Sequence, residues 1–174
     1  AAPSTRTLKC TSTKSAGSSK MPHLLELFSG TGSMGRAFRE RGWQVTSVDV
    51  EAKFFPSICC DVLELEVEHV LEHGNVDLIW ASPHCTHYSC ARTKAKTSRD
   101  LDGSDALVQK VLDLADSLCC YSLIENPHSG LLKTRPVVQG LPMEVLDYCR
   151  YGTQYRKRTS IWTNSTYEPL RPVC

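Results

Sequence analysis

The chain has 174 residues, of which 41% are hydrophobic and 22% are charged, and this is enough for one domain with a sizeable core. Its formal net charge is only +1, which excludes an overall positive field, so any contact with nucleic acid must come from local basic patches. No apolar run is long enough to cross a bilayer and no signal peptide is visible, so we expect no membrane partner.

Cysteine usage indicates the redox compartment. The sequence has nine cysteines, an odd number, and they include the adjacent pairs Cys59-Cys60 and Cys119-Cys120. Several lie inside apolar runs rather than at regular loop spacings. We therefore expect reduced thiols in an intracellular compartment, with no preference between cytoplasm and nucleus, rather than a disulfide framework.

The first part of the chain differs in composition from the rest. Residues 1–20 are rich in Ser, Thr, Lys and Ala and carry almost no large apolar side chains. This composition favours a flexible tail or linker over a basic arm that touches nucleic acid, because the basic residues are scattered. Residues 21–174 are expected to form the folded domain.

The ordered part begins with a strand, a Gly-rich turn, a helix and a second strand. The apolar run His23–Phe28 breaks into Ser29–Gly35, apolar spacing then indicates a helix that stops at Gly42, and Trp43–Asp49 is typical of a strand. The glycines match G-x-G-x-x-G between a predicted strand and a predicted helix, which is where this pattern indicates a nucleotide-binding turn. Asp49, at the end of the second strand, can accept hydrogen bonds from ribose hydroxyls. A nucleoside cofactor is predicted, either a dinucleotide or S-adenosylmethionine, and the alternative is a tight turn without a ligand.

A third short run ends in another carboxylate. Ile58–Asp61 is followed by apolar spacing from Leu63 to Leu71 that suggests a helix. Asp61 can accept from an adenine amino group at the edge of the sheet, or it can cap that helix.

The fourth predicted strand delivers a cysteine to a loop. Val76–Ala81 is apolar and ends abruptly in Ser82-Pro83, and Cys85 follows two residues after the proline. The loop beyond the carboxyl end of a buried parallel strand is where such a sheet presents a nucleophile. The alternative is an ordinary buried cysteine, since cysteine is among the most buried residue types. A basic, aperiodic segment, Arg92–Arg99, follows and suits phosphate contacts.

The second half supplies a carboxylate and a basic turn. A helix is predicted from Ser104, as a possible cap, to Leu118, and the strand Tyr121–Ile124 runs directly into Glu125-Asn-Pro. Glu144–Arg150 and Ser160–Thr163 are typical of a strand pair, joined by the basic, aromatic turn 152–158. The resulting prediction is an α/β fold with a mostly parallel seven-stranded sheet, an antiparallel edge and helices on both faces.

Four stretches stand in one order along the chain: the Gly-rich turn, Asp49, Ser-Pro-His-Cys85 and Glu125-Asn-Pro. This order resembles the DNA cytosine methyltransferases that modify carbon-5, and most of all their short phage and virus members. The resemblance covers His23 to about Asn164. It implies a Rossmann-like S-adenosylmethionine-dependent fold, and transfer of the methyl group of S-adenosyl-L-methionine to carbon-5 of a flipped cytosine in DNA.

The resemblance also implies a role for each matching residue. Cys85 would be the nucleophile that forms a covalent adduct, and Glu125 the acid at the pyrimidine ring. Gln154-x-Arg156-x-Arg158 is similar to the basic motif of the family. The residues expected to hold the cofactor are Phe28, Ser29, Gly30, Thr31, Gly32, Gly35, Asp49, Asp61, Ser82 and Pro83. The residues expected to contact DNA are Arg92, Lys94, Lys96, Arg156 and Arg158.

The sequence departs from the family at three positions and in length. His84 precedes the cysteine and Thr86 follows it where the common form is Pro-Cys-Gln, and Pro127 stands where Val is usual. The chain ends soon after the last predicted strand, so we expect no target-recognition domain. The alternative function is therefore a non-catalytic cofactor-binding remnant, or half of a split methyltransferase that needs a partner or the rest of a longer chain.

Two further alternatives rest on less of the sequence. A nicotinamide-dependent oxidoreductase would account for the glycines but not for Ser-Pro-x-Cys or Glu-Asn-Pro. A zinc site built from His84, Cys85, His87 and Cys90 lacks the usual paired Cys-x-x-Cys spacing, so no metal is expected. Both histidines are expected to be structural or solvent-facing rather than to activate the thiol.

Overall fold

The computed structural model of the protein describes residues 21–93, 95–171 and 173–174. The predicted tail, residues 1–20, and the predicted DNA contact Lys94 lie outside the described residues. The strands are β1 (His23–Leu27), β2 (Gln44–Asp49), β3 (Ile58–Cys59), β4 (Leu78–Ala81), β5 (Tyr121–Pro127), β6 (Met143–Asp147) and β7 (Arg158–Thr163). The α-helices are α1 (Ser33–Arg39), α2 (Val67–Leu71) and α3 (Leu101–Ser117).

The seven strands form one sheet in the order β3-β2-β1-β4-β5-β7-β6. Strands β1 to β5 run parallel, and β7 is antiparallel to both of its neighbours. The predicted mostly parallel sheet with an antiparallel edge is confirmed. Because β7 is reversed, it starts at the edge where β1, β2, β4 and β5 end, so the basic turn before it also reaches that edge.

Helices lie on both faces, as predicted. Alternate side chains of β1 point to opposite faces, so Leu25 and Leu27 join a core with α2 and α3, while Leu24 joins a second core with α1. Both cores are closed to solvent at their centres, since all three leucines have no exposed surface. The helices thus fix the strands from both sides and leave the carboxyl edge to the loops.

Several predicted boundaries differ from the structure. The strand predicted from Glu144 to Arg150 ends at Asp147, where a 3-10 turn begins, and its partner strand begins at Arg158 rather than Ser160. Three further differences involve α2, α3 and β5. The helix expected from Leu63 to Leu71 is interrupted, because Leu65 adopts an extended conformation after a 3-10 turn and is fully buried. Helix α3 begins at Leu101, and its cap is the Asp100 side chain, which accepts a hydrogen bond from the Gly103 amide at 2.8 Å. Strand β5 continues to Pro127 because β7 pairs with it, so Glu125 lies inside the strand rather than beyond it.

No helix in the described part of the chain has both the length and the apolar character needed to cross a membrane.

Candidate active site at the carboxyl edge of the sheet

The Gly-rich turn after β1 depends on its glycines for two different reasons. Gly30 and Gly32 have φ values of 48° and 67°, in the left-handed region that favours glycine. Gly35 lies in α1 with an ordinary backbone, but a Cβ there would overlap the carboxylate of Glu26. The turn therefore needs glycine for conformation at two positions and for close approach at the third.

Glu26 is a site residue that sequence reasoning missed. It is 3% exposed, although it carries a carboxylate in the middle of an apolar strand. Burial raises the pKa of Glu26, while the amides of Gly35 and Met34 and the charge of Arg39 act in the opposite direction. An acidic residue inside a predicted buried strand was the available signal, and its role is to hold the start of α1 against β1.

Asp49 ends β2 and fixes the Gly-rich turn. Its Oδ2 accepts a hydrogen bond from the Gly30 amide at 2.7 Å, and its Oδ1 accepts one from the Glu51 amide at 2.9 Å. Both carboxylate oxygens thus have a backbone partner, and the residue is 8% exposed. Each carboxylate oxygen can accept more than one hydrogen bond, so Asp49 retains acceptor capacity for a ligand.

Asp49 lines a cavity of about 110 Å³. The cavity combines two carboxylates with apolar walls and one imidazole. Its lining residues are Phe28, Asp49, Val50, Cys60, Asp61, Val62, His84 and Leu107. Asp61 also caps the following 3-10 turn, since its Oδ1 accepts from the Leu63 amide at 2.9 Å, so the capping role considered from the sequence is observed and the contact with an adenine amino group stays a prediction.

The other predicted cofactor residues do not line this cavity. Ser29, Gly30, Thr31 and Gly32 border a neighbouring space of about 370 Å³ on the side of α1. Ser82 accepts a hydrogen bond from the Trp80 indole N–H at 3.0 Å.

The structure adds five cavity residues that sequence reasoning did not select. They are Val50, Cys60, Val62, His84 and Leu107. Val50 and Val62 directly follow the two acids, which was a usable signal. Leu107 comes from α3, far along the chain, and no local pattern could reveal it. The His84 ring lies 6.1 Å from the Phe28 ring, centroid to centroid, so His84 faces the cavity.

Cys85 is exposed on the loop after β4, and that loop is tied to β5. The side-chain amide of Asn126 donates to the Pro83 carbonyl at 3.0 Å, in a buried position. Asn126 directly follows Glu125, so this hydrogen bond joins the Ser-Pro-His-Cys and Glu-Asn-Pro stretches. A buried hydrogen bond of this kind fixes the relative position of two loops.

Glu125 is 7% exposed and receives two hydrogen bonds from the start of β7. The Lys157 ammonium group donates to its Oε1 at 3.1 Å, and the Thr159 hydroxyl donates to the same atom at 3.3 Å. Burial alone would lower the pKa of Lys157, but Glu125, Tyr148 and Cys85 outweigh burial and raise it. Lys157 thus contacts Glu125 directly, and the loop that carries Cys85 is tied to the neighbouring residue Asn126. The two predicted catalytic residues therefore lie on adjoining segments at one edge of the sheet, a place called the crevice below.

Tyr88, on the same loop as Cys85, anchors that loop to the core. Its side chain is fully buried, and its hydroxyl donates to Asp105 Oδ1 at 2.8 Å. Arg135 donates to the other oxygen of Asp105 at 2.8 Å, and the Leu131 amide donates to the Tyr88 carbonyl at 2.9 Å. Burial and the Asp105 contact raise the pKa of Tyr88 well above its usual range. This network joins α3, the nucleophile loop and the segment after β5.

We expect Tyr88→Phe to lower the free energy of unfolding by roughly 1–2 kcal/mol, because the Asp105 oxygen loses a buried partner. Tyr121→Phe serves as the control, since Tyr121 is 53% exposed, and its effect should stay within ~0.5 kcal/mol. Urea denaturation of both variants measures the difference. Equal stability of Tyr88→Phe and the unchanged protein would contradict the anchoring role.

The two histidines near Cys85 have separate positions. His87 accepts a hydrogen bond from the Asp100 amide at its Nδ1, at 2.8 Å, and thereby supports the start of α3. His84 faces the cavity. Within the described ranges, His84, Cys85, His87 and Cys90 are not gathered into a cluster of metal-ligand geometry.

The basic residues predicted to contact DNA are mostly engaged within the chain. Arg92 donates to the Thr97 and Ser98 carbonyls at 3.0 and 3.2 Å, which folds the loop on itself, and Lys96 is exposed. Arg158 makes two hydrogen bonds to Asp147, at 3.0 and 2.9 Å, and Arg156 approaches the same carboxylate at 3.4 Å. Arg158, then the Cys174 amide, hold the pKa of Asp147 well below its usual range.

The structure departs from the expectation of reduced cysteines at one pair. Cys149 and Cys174 are joined in a disulfide, because the last described residues fold back on the 3-10 turn after β6 and bring the two sulfur atoms together. Cys59, Cys60, Cys85 and Cys90 are free thiols.

Comparison with known proteins places this geometry in a family, although no protein-family model matches the chain. The chain is 32% identical over 154 residues to a protein of Frog virus 3 (isolate Goorha) described as a probable DNA (cytosine-5)-methyltransferase. That match covers 81% of this chain and 70% of the viral protein.

Two solved structures share the fold. The crystal structure of the S. pombe Dnmt2 methyltransferase matches with a TM-score of 0.58 at 17% identity, over 85% of this chain and 52% of that chain. The crystal structure of magnesium protoporphyrin IX methyltransferase (ChlM) from Synechocystis PCC 6803 with bound SAM matches with a TM-score of 0.52 at 14% identity, over 83% and 71%. The chain thus spans about half the length of the Dnmt2 structure. Because the similarity to the viral protein extends over most of both chains, this chain belongs to the DNA (cytosine-5)-methyltransferase family.

Proposed function

We propose that this protein transfers a methyl group from S-adenosyl-L-methionine to carbon-5 of cytosine in DNA. One observation carries the proposal: the Asn126–Pro83 hydrogen bond ties the loop that carries Cys85 to the strand that carries Glu125, at the same sheet edge as a cavity with two carboxylates. The Frog virus 3 relative is named for the same activity.

The residues around the cavity fit the nucleoside part of the cofactor. Asp49 keeps acceptor capacity for ribose hydroxyls, and Asp61 presents a second carboxylate that suits an adenine amino group. Phe28, Val50 and Leu107 supply apolar surface for the base. The cofactor, when bound, supplies an electrophilic methyl group on a sulfonium.

The chain's own residues would then activate the cytosine. The Cys85 thiolate adds to carbon-6 of the ring while Glu125, in its protonated form, gives a proton to ring nitrogen 3 and is left as the carboxylate that pairs with Lys157. Carbon-5 is then an enamine carbon that can accept the methyl group. Water takes the carbon-5 proton, ring nitrogen 3 returns its proton to Glu125 and Cys85 departs as a thiolate, which restores the aromatic ring. Glu125 is buried and hydrogen-bonded, which suits a group that must meet one ring atom.

Access to a cytosine in duplex DNA requires that the base leaves the stack, at a cost of about a few kcal/mol. Exposed Lys96 near the nucleophile loop is available for a phosphate contact. Arg92, Arg156 and Arg158 would contact DNA only if they exchanged or shared their present partners. DNA affinity would therefore depend on few side chains of this chain.

Target recognition is the part of the activity that this chain supports least. It spans about half of the Dnmt2 structure, so we propose that further residues of a longer chain, or a separate subunit, supply sequence recognition. The competing function is a cofactor-binding module without catalysis. Intact Cys85 and Glu125 in one crevice favour the enzyme. The free thiols of Cys59, Cys60, Cys85 and Cys90 favour an intracellular, reducing compartment, and the Cys149–Cys174 disulfide is the exception.

The direct test is to incubate the protein with cofactor and an oligonucleotide that contains 5-fluorocytosine. Fluorine at carbon-5 cannot be removed as a proton, so an active enzyme should remain covalently attached to the DNA and migrate as an adduct in a denaturing gel. Attachment supports the proposal. Cofactor binding with no adduct on duplex DNA, single-stranded DNA or RNA would favour the non-catalytic module.

We expect Asp49→Ala to weaken S-adenosylmethionine binding by about 1.5–3 kcal/mol, the range for hydrogen bonds to a charged group. Isothermal titration calorimetry measures the change, and the melting temperature checks that the Gly-rich turn remains folded. Glu51→Ala is the matched control, because Glu51 lies two residues from Asp49, is exposed and is paired with Lys53. Tight binding of a nicotinamide dinucleotide in place of S-adenosylmethionine would overturn the cofactor assignment.

A further inference from the structure

Three consecutive basic residues lie where β7 begins, since Arg156 and Lys157 precede the strand and Arg158 is its first residue, and their side chains point in two directions. Successive side chains of an extended segment point to opposite faces. Arg156 and Arg158 both point to Asp147, whereas Lys157 and Thr159 both point to Glu125. The cation that reaches the catalytic crevice is therefore the lysine between the two arginines of the family-like motif.

Lys157 is held firmly in that position. Its ammonium nitrogen lies 3.1 Å from Glu125 Oε1 and 4.8 Å from the centroid of the Tyr148 ring. Its carbonyl accepts a hydrogen bond from the Tyr148 amide at 3.1 Å. The side chain is 38% exposed, against 9% for Glu125, so the pair lies at the mouth of the crevice with the carboxylate inside. Contact with an aromatic face and a carboxylate favours the charged amine.

We propose that Lys157 is the positioning cation of the active site, which holds the Glu125 carboxylate toward the substrate and keeps a positive charge near the nucleophile loop. This inference rests on the proposed function. Arg156 and Arg158 hold the basic turn in place through their ion pairs with Asp147, and this fixes the direction of the Lys157 side chain. A lysine suits this place, because a compact ammonium group can meet one carboxylate oxygen and leave the other for the substrate, whereas a guanidinium favours binding both.

The charge of Lys157 also explains how Glu125 is accommodated. A carboxylate that is 9% exposed is costly to bury without a partner, and removal of one member of a buried ion pair leaves the other uncompensated. Within the described residues, the ion-pair partner of Glu125 is Lys157. Loss of the ammonium group should therefore change both the orientation of Glu125 and the reactivity of Cys85, with little effect on the distant cavity around Asp61.

The first experiment measures thiol reactivity without DNA or cofactor. The rate of Cys85 alkylation by iodoacetamide is followed against pH by peptide mass spectrometry, and Cys90 in the same molecule serves as the internal reference. For Lys157→Met, and for Lys157→Gln as a second neutral variant, we expect the profile of Cys85 to move up by about half a unit to one unit of pH. The Cys90 profile should not move.

Matched variants isolate the charge and its direction. Lys157→Arg should keep the Cys85 profile near that of the unchanged protein, since the charge is preserved. Arg41→Met removes one positive charge from an exposed residue just after α1, away from the basic turn, and it should also leave the profile unchanged. Equal shifts in Lys157→Met and Arg41→Met, or no shift in either neutral Lys157 variant, would overturn the proposal.

The second experiment measures adduct formation on 5-fluorocytosine DNA. We expect Lys157→Met to slow the adduct at least tenfold and Lys157→Arg to slow it less than threefold, with S-adenosylmethionine affinity unchanged in both. An adduct rate for Lys157→Met within threefold of the unchanged protein would overturn the role. Failure of the proposed function looks different: the unchanged protein then forms no adduct at all, while the alkylation profiles still report on Lys157.

Discussion

Cys85→Ser should abolish the covalent adduct with 5-fluorocytosine DNA and lower methyl transfer below detection, while S-adenosylmethionine binds with nearly the same affinity. The thiolate is the nucleophile in the proposed mechanism, and a serine hydroxyl at neutral pH is far too weakly ionised to replace it. Affinity should survive because Cys85 is exposed and does not line the cavity that contains Asp49 and Asp61. Calorimetry and a denaturing gel measure the two results on the same samples.

Cys90→Ser is the control for this prediction. Cys90 lies five residues further along the same segment and is also exposed, and its sulfur lies 3.0 Å from the Ser129 carbonyl, with no link to Glu125 or Lys157. Its replacement should change adduct formation by less than about threefold. If Cys85→Ser still methylates DNA, or if Cys90→Ser is the variant that fails, the nucleophile has been wrongly assigned.

The parts of the fold that the sequence revealed are the local ones. Strand, Gly-rich turn, helix and strand lie within 27 residues, 23–49, and the hydrophobic periodicity of each element shows its type. Parallel neighbours such as β1 and β4 also follow from a chain that alternates strands with helical segments. The carboxyl edge, and with it the neighbourhood of Asp49 and Cys85, was therefore predictable.

The insertion of β7 between β5 and β6 was not predictable in the same way. Glu125-Asn-Pro has the composition of a turn, yet Asn126 and Pro127 pair with Ser160 and Thr159 in an antiparallel ladder. The partner strand is more than thirty residues away, and no local signal sets its register. Sequence reasoning therefore ended β5 too early and left Glu125 on a loop.

Because the register of β7 could not be predicted, the separate roles of the residues in the basic turn could not be predicted either. From the sequence, Arg156, Lys157 and Arg158 differ only in side-chain type, and similarity to a family motif selects the arginines. The pairing of Arg158 with Asp147 decides which residues share a face, and it sends Lys157 to Glu125. His84 is a comparable case, because only the position of Phe28 across the sheet edge shows that its ring faces the cavity.

Glu125→Gln should slow methyl transfer by roughly 10²–10⁴-fold, the range for loss of a general acid. Glutamine keeps the volume of the side chain and an oxygen that can accept from Lys157 and Thr159, so the local structure should persist. It cannot give a proton to ring nitrogen 3, so carbon-5 would not become sufficiently nucleophilic. Single-turnover assays with labelled cofactor measure the rate, and calorimetry should show unchanged cofactor affinity.

Glu68→Gln is the matched control, since Glu68 is exposed on α2 and lines neither cavity, and the rate of methyl transfer by this variant should stay within about twofold of the unchanged protein.

Comparison of Glu125→Gln with Lys157→Met separates proton donation by Glu125 from the effect of the Lys157 charge. If Glu125 acts by proton donation, Glu125→Gln should slow methyl transfer strongly but leave Cys85 alkylation nearly as fast as in the unchanged protein, whereas Lys157→Met should slow both. A Glu125→Gln protein with an unchanged rate of methyl transfer would remove Glu125 from the mechanism, even though it lies beside the nucleophile loop.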